Sequence, residues 1–436
     1  MAVNWLLVDF NSFFASCEQL LRPELRGKAI AVVPVMAETT CCIAASYEAK
    51  KFGVKTGTRV SDARMMCRGI LIVEARPELY VKINQELNEA ILSCIDVAEN
   101  WSIDEMLCEL TGKLKERKNA LELAAKIKKT VAEKVGAQMR CSIGIAPNPF
   151  LAKAASDMQK PDGLVVIEKE DLPQCLHVFK LRDFYGVGRN MEQRLLQHGI
   201  RTAEELCAAT EDDLRQVWGG IEGERIYHAL RGESVYKPPT QTSSLGHSHV
   251  MPPEERNPAS AFAVLNRLLQ KAAARLRKMG YYAGAMHLSI SHVRGGHWSD
   301  ECSFLETQDT VEFLRILRLL WDRMPGNMPP PMKVGVTLTR LVEPQNRTPA
   351  FFEKNSQRDK LNAQIDAINK TFGKNTIYFA GAHVARKSAP MRIAFTYIPD
   401  LDDVEKEELS PEHKAKLEAR QSRGKRGNQS RGKRSD

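Results

Sequence analysis

Apolar residues open the chain in one block, Val3 to Phe10, and a polar turn closes it. This reads as a strand over 3–10 followed by a short helix over 12–21, rich in Phe, Ala and Leu. Two more apolar runs, 29–35 and 41–46, predict short strands. Residues 59–67 and 77–95 read as helices, the second with a long apolar stripe. A strand over 101–110, a helix over 117–136, a strand over 139–146 and a helix over 149–157 complete the block. The order predicts one layered α/β domain carrying an insertion between about 20 and 76. Residues 166–235 read as small helices separated by glycines, and the Pro/Thr-containing stretch that follows reads as a linker. Residues 243–345 then read strand, helix, strand, strand, helix, strand. The first of these helices, 259–279, sets Leu265, Leu268, Leu269, Ala272 and Leu276 against Arg267, Lys271, Arg275 and Lys278. The strand after it, Met286 to Arg294, alternates polar and apolar positions. Beyond about 400 an acidic stretch precedes a basic tail, and both read as disordered.

The chain has 436 residues, enough for two to four domains, and 43% hydrophobic with 27% charged residues is the balance of a soluble globular protein. No apolar run reaches the roughly 18–20 residues that span a bilayer. The start lacks a basic stretch and a small-residue cleavage site, so neither a secretory signal nor a membrane partner is expected. Ten cysteines without CxxC spacing read as buried thiols in a reducing compartment rather than zinc ligands. Net charge is +9, but the last sixteen residues hold +5 of it, so the charge alone is weak evidence for a polyanion partner.

Candidate chemistry lies in two acidic clusters, Asp9 within Val8–Phe14 and Asp104-Glu105 within Trp101–Met106. Each borders an apolar, strand-like run. Carboxylates at the ends of adjacent strands can hold two Mg²⁺ about 3.5–4 Å apart, the arrangement behind in-line attack on phosphate. In a regular strand Asp104 and Glu105 point to opposite faces. Both serve one site only if the strand bends there, or if Glu105 reaches round with its longer side chain.

Five segments resemble the Y-family, translesion DNA polymerases: Val8 to Glu18, Ser46 to Val54, Ser102 to Glu105, Ser142 to Ala146 with Ala152 to Gly163, and Phe184 to Gly188. Asn11 and Ser16-Cys17-Glu18 are nearest the bacterial UmuC/DinB-type branch. The resemblance implies an α+β right-hand polymerase without a proofreading exonuclease. A ferredoxin-like palm would occupy 1–19 and 77–165, small fingers 20–76, and a helix-hairpin-helix thumb 166–235. A linker at 236–242 would lead to a βαββαβ little finger at 243–345, with a C-terminal extension over 346–436. Implied metal ligands are Asp9, Asp104, Glu105 and the Phe10 carbonyl, holding two Mg²⁺ for which Mn²⁺ can substitute.

On the nucleotide side the resemblance implies Tyr47, Lys50 and Lys160 as triphosphate contacts. Lys50 stands where many members have Arg, so it offers a point charge rather than a planar fork. Phe13 and Phe14 open the first helix. Phe13 reads as core, whereas Phe14 aligns with an aromatic steric gate against a 2′ hydroxyl, core packing being its other reading. Cys42, Ile43 and Ala44 match the roof over the nascent base pair. Gly186 and Gly188 match a phosphate-binding hairpin. Arg267, Lys271, Arg294 and Lys333 are DNA-contact candidates, although the basic stripe is also how an ordinary exposed helix looks. Phe351-Phe352 stand where relatives carry a sliding-clamp peptide, without its Gln.

The resemblance thus implies a monomeric, cytoplasmic, nucleoid-associated enzyme of SOS mutagenesis. Its expected partners are primer-template DNA, a deoxynucleotide, a sliding clamp and SOS-type accessory subunits. Two other classes remain open. One is a catalytically silent scaffold at stalled forks, which the intact acids disfavour. The other is a nucleotidyl cyclase, which has no need of a duplex grip.

Overall fold

A computed structural model describes residues 3–235, 242–293, 295–347, 356–373, 375–386 and 388. They form two compact units, one on either side of 236–241. The expected linker is largely outside the described residues.

The first unit begins with strand β1 (Trp5–Phe10) and helix α1 (Phe13–Leu21). Strands β2 (Ile30–Val33) and β3 (Ala44–Ala45), helices α2 (Tyr47–Lys50) and α3 (Val60–Met66) and strand β4 (Leu71–Glu74) form the insertion. Helix α4 (Pro77–Leu92), strands β5 (Glu99–Asn100) and β6 (Glu105–Glu109), helix α5 (Arg117–Lys134), strand β7 (Cys141–Ala146), helix α6 (Pro149–Met158) and strand β8 (Leu164–Val166) follow.

The main sheet runs β5-β6-β1-β7-β8, with β1 antiparallel to both β6 and β7. Its sequence suits that central place: Leu6 to Val8 are fully buried, with apolar side chains for both faces. The insertion has its own sheet, β3-β2-β4, over a small core that includes Ala31, Val33, Ala45, Val54 and Val60. Two strand expectations change. The run 41–46 yields only Ala44–Ala45 as a strand, and the run 101–110 becomes strand only from Glu105, because 102–104 bend.

Helix α6 starts where Asn148 accepts a hydrogen bond from the Leu151 N–H and Pro149 takes the first turn. It lies unusually close to β7. A Cβ on Gly144 would stand 2.0 Å from the Ala152 carbonyl oxygen. Only glycine there, opposite the small Ala152 and Ala155, permits that approach.

Four short helices follow: α7 (Arg189–Gln197), α8 (Ala203–Ala208), α9 (Glu211–Trp218) and α10 (Ile221–Leu230). Thr202 with Glu205, and Thr210 with Asp213, form capping boxes that start α8 and α9. Leu195, Leu206, Leu214 and Leu230 share one core with Leu151 and Ala155 of α6.

The second unit holds β9 (Ser244–Val250), α11 (Pro258–Lys278), β10 (Tyr282–His292), β11 (His297–Thr307), α12 (Thr310–Asp322), β12 (Pro331–Val342) and α13 (Ser356–Phe372). Its antiparallel sheet runs β11-β10-β12-β9. Leu265, Leu269 and Leu276 of α11 and Phe313 and Leu317 of α12 pack on the face that carries Met286, Leu288, Val334 and Val336. Helix α13 docks back on this unit: Arg277 grips Asp366 through two nitrogens, and Arg358 and Asn362 bond the buried Asp309.

Candidate active site

Asp9 and Glu105 are register partners across β1 and β6, as are Leu7 and Leu107 two residues on. Their side chains therefore share the sheet face covered by α6. Asp104 sits in the bend before β6. Its carbonyl accepts the Phe10 N–H at 2.8 Å, and its Oδ1 accepts the Ser102 hydroxyl at 2.5 Å. The same hydroxyl lies 3.3 Å from Glu105 Oε2. The bend is what brings adjacent acids to one place, the first of the two possibilities the sequence left open.

Lys153, on α6, reaches into this cluster. Its Nζ lies 2.6 Å from Asp9 Oδ2, 2.8 Å from Glu105 Oε1 and 3.1 Å from Asp157. Lys160 Nζ lies 2.7 Å from the same Asp9 oxygen and 2.8 Å from Asp157. Burial opposes the charge on each ammonium, but the carboxylates outweigh it and raise both lysines. Burial, with the Asp9 and Glu105 charges, pushes Asp104 up to about 6 against the pull of Ser102 and Lys153. Asn11 serves the turn rather than the cluster: its amide donates to Ser142 Oγ while its oxygen accepts the Asp162 N–H. A carboxylate could not make that donation.

Among the described residues no three acidic, histidine or cysteine side chains form a preformed metal cage. Lysines bridge the acids instead. The donor chemistry nevertheless fits Mg²⁺, being all oxygen. Burial first, and then the neighbouring Asp9 and Glu105 charges, oppose the ionised form of Asp104, and a bound divalent cation would favour it.

Beside the acids lies a cavity of about 230 Å³. Asp9, Asp104, Glu105, Lys153 and Lys160 form one part of its wall, and Ser12, Phe13, Phe14, Ile43, Ala44 and Lys50 another. Phe14 is 2% exposed and packs on Tyr80, ring centroids 4.8 Å apart. Lys50 Nζ stands 4.5 Å over the Tyr47 ring. Burial and the Lys160 charge lower Lys50, whereas burial raises the Tyr47 phenol despite Lys160. Cys42 departs from the expectation. It is buried in the core of the insertion with Ala31, Val60 and Ala63 and is not among the residues that line the cavity.

The remaining candidates divide. Gly186, at φ 84°, and Gly188, the residue before α7, stand open, with nothing near where a Cβ would be. Buried Val187 anchors the turn between them. Lys333 is exposed on the face of the second sheet opposite the helices, level with Ser291 and Val250. The next row along is Ser299, Ser289, Gly335 and Ser248.

The basic stripe does not form the expected exposed patch. Arg267 is 4% exposed, and Lys271 and Arg275 are half-buried. The stripe turns towards β9, where Lys271 and Arg275 lie close enough to the half-buried His247 to lower its pKa. A different side of α11 binds the chain that follows, with Arg277 on Asp366, Gln270 on Phe379 and Asn266 close beneath Gly381. Arg294, Phe351 and Phe352 lie outside the described residues.

Sequence reasoning assigned no role to Lys153, Asp157 or Ser102. The available signal was spacing: Lys153, Asp157 and Lys160 recur at helical intervals, three and four apart.

Known proteins resemble this chain along most of its length. The impB/mucB/samB family profile matches residues 8–157, its C-terminal domain profile matches 242–350, and the DNA polymerase-iota thumb profile matches 182–233. DNA polymerase IV of Moorella thermoacetica is 30% identical over 384 residues, covering 86% of this chain and 95% of its own. DNA polymerase IV of Pelotomaculum thermopropionicum is 30% identical over 381 residues, covering 85% and 93%. Among solved structures, a chimera of the Y-family polymerases Dbh and Dpo4 superposes with a TM-score of 0.65 at 24% identity, over 78% of this chain and 99% of that one. An insertion ternary complex of Dbh DNA polymerase gives 0.52 at the same identity and coverage.

Proposed function

Because the chain belongs to the Y family of DNA polymerases, we propose that the acidic cluster and its cavity catalyse template-directed addition of deoxynucleotides to a primer 3′ end opposite damaged templates. One observation carries this: Asp9, Asp104 and Glu105 share a single cavity with Lys160 and Phe14. Asp9, Asp104, Glu105 and the Phe10 carbonyl would hold two Mg²⁺, which when bound activate the primer hydroxyl and neutralise the triphosphate. Lys160 and Lys50 place positive charge where the β and γ phosphates would lie, with Tyr47 beside them. The Phe14 ring leaves no room for a 2′ hydroxyl. Ile43 and Ala44, of modest size, wall the base-pair side and select weakly by shape.

Gly186 and Gly188 at α7, and the small-residue face bearing Lys333, supply backbone N–H groups and charge for sequence-independent phosphate contact. Primer-template DNA and a deoxynucleotide are the proposed partners, and the bacterial cytoplasm the proposed location. A sliding clamp and SOS-type subunits extend the proposal beyond the described residues. No helix among the described residues is long and apolar enough to cross a membrane.

Primer extension by the full chain tests the reading, with Mg²⁺, four deoxynucleotides, and undamaged and abasic templates, beside Asp104→Ala. Metal-dependent extension lost in Asp104→Ala is expected. Tight primer-template binding without extension in the presence of a clamp would transfer the protein to the scaffold reading.

A further inference from the structure

Glu18 is a carboxylate with no exposed surface in the middle of an apolar helix. An unpaired charge there would cost several kcal/mol, so its partners carry information. Oε1 accepts the Tyr80 hydroxyl at 2.8 Å and Arg76 Nε at 3.0 Å. Oε2 accepts Arg76 Nη2 and lies 3.7 Å from Arg22 Nη1. Burial and the Glu18 charge push the Tyr80 phenol well up, so it keeps its proton and donates. Tyr80 is itself 0% exposed, and its ring backs Phe14 at 4.8 Å and 31°. A chain of contacts thus runs from Arg76 through Glu18 and Tyr80 to the ring that walls the nucleotide cavity.

We propose that Glu18 is a positioning residue for sugar selection: by holding the Tyr80 hydroxyl it fixes the ring behind Phe14, so that Phe14 cannot retreat from a 2′ hydroxyl. This rests on Phe14 acting as the gate. A ring backed only by other apolar side chains can slide, because dispersion contacts have no direction. A hydrogen bond to a doubly gripped carboxylate fixes the Tyr80 ring along its long axis. Glu18 is not among the residues that line the nucleotide cavity, and of its partners Tyr80 is the one that packs on Phe14, so its effect passes through Tyr80.

The test compares kcat/KM for a ribonucleotide and for its deoxynucleotide in full-chain Tyr80→Phe, Glu18→Gln and Phe14→Ala. The ratio is insensitive to the folded fraction, so a partly unfolded Glu18→Gln still reports. Tyr80→Phe, which removes one hydroxyl and keeps the ring, guards against a variant that does not fold. We expect the ribo-to-deoxy ratio to rise about threefold to tenfold in Tyr80→Phe and in Glu18→Gln, part of the tenfold or more that a hydrogen bond to a charged group is worth, because the effect reaches the sugar only through the Phe14 ring. Phe14→Ala should raise it most, and adding Tyr80→Phe to Phe14→Ala should raise it no further. A merely structural role lowers both kcat/KM values together and leaves the ratio alone. A wild-type ratio in Tyr80→Phe and Glu18→Gln, with a raised one in Phe14→Ala, would overturn the positioning role and leave the gate standing. A wild-type ratio in Phe14→Ala as well would bring down the gate and the proposal together.

Discussion

Lys153 has three carboxylates within reach and a side chain only 13% exposed. Replacing it by Met leaves Asp9, Glu105 and Asp157 facing one another with a single lysine between two of them. Removing one partner from a buried ion cluster costs about 3–5 kcal/mol. Lys153→Met should therefore unfold at lower urea concentration in chelator, and Mg²⁺ should recover part of the loss. An unchanged midpoint in chelator would deny Lys153 that role. His247 offers a second test. Burial first, then the Lys271 and Arg275 charges, lower its pKa to about 4. Its unfolded value lies near 6.5, so protons favour the unfolded chain between the two. This contribution is present above about 6.5 and lost as pH falls towards 4, up to about 3 kcal/mol. Wild type minus His247→Gln, in denaturation across that window, should show this slope. The acids were legible in the sequence because each lies in a motif beside a strand. Lys153 was not, since a lysine on an Ala-rich helix looks the same whether it meets solvent or a carboxylate 144 residues away in sequence. Glu18 was visible only as a misplaced charge in an apolar helix.

At the level of elements, the close seat of α6 on β7 sets where Lys153 and Lys160 fall. Gly144→Ala would force Ala152 and Ser156 away from the sheet. Displacing a site by about 1 Å can lower turnover by as much as 100-fold, and a fall of about 10- to 100-fold in kcat/KM is expected from steady-state extension kinetics. Full activity in Gly144→Ala would show that α6 tolerates a looser fit. The order of elements in the second unit follows the apolar periodicity of its sequence. Periodicity was less able to find the bend at 102–104, because Trp101 to Met106 keeps a strand-like pattern while Ser102 captures Asp104. It misjudged α11 for another reason. A stripe of arginine and lysine announces a solvated face only when no other element approaches it, and the helical period does not reveal that Lys271 and Arg275 come close to His247 of β9.

For the whole molecule, the expected grip on DNA can be measured by salt dependence. Lys333→Ala should weaken primer-template binding equally across sequences and reduce the slope of log K against log salt by about 0.9. Arg267→Ala, at a buried position, should lower the urea midpoint and leave that slope unchanged. A slope that fell in Arg267→Ala would place this arginine on the DNA after all. The carboxylate of Glu18 bears on the molecule's architecture in another way. Arg22 stands where the chain leaves α1 for the insertion, and Arg76 where it returns into α4. Both arginines meet at one buried acid. A segment whose entrance and exit are pinned at the same point is a cassette. Between Arg22 and Arg76, the chain away from Tyr47 and Lys50 is thereby free to vary in length and shape while the acids stay in place, so the roof can be remodelled over an unmoved floor.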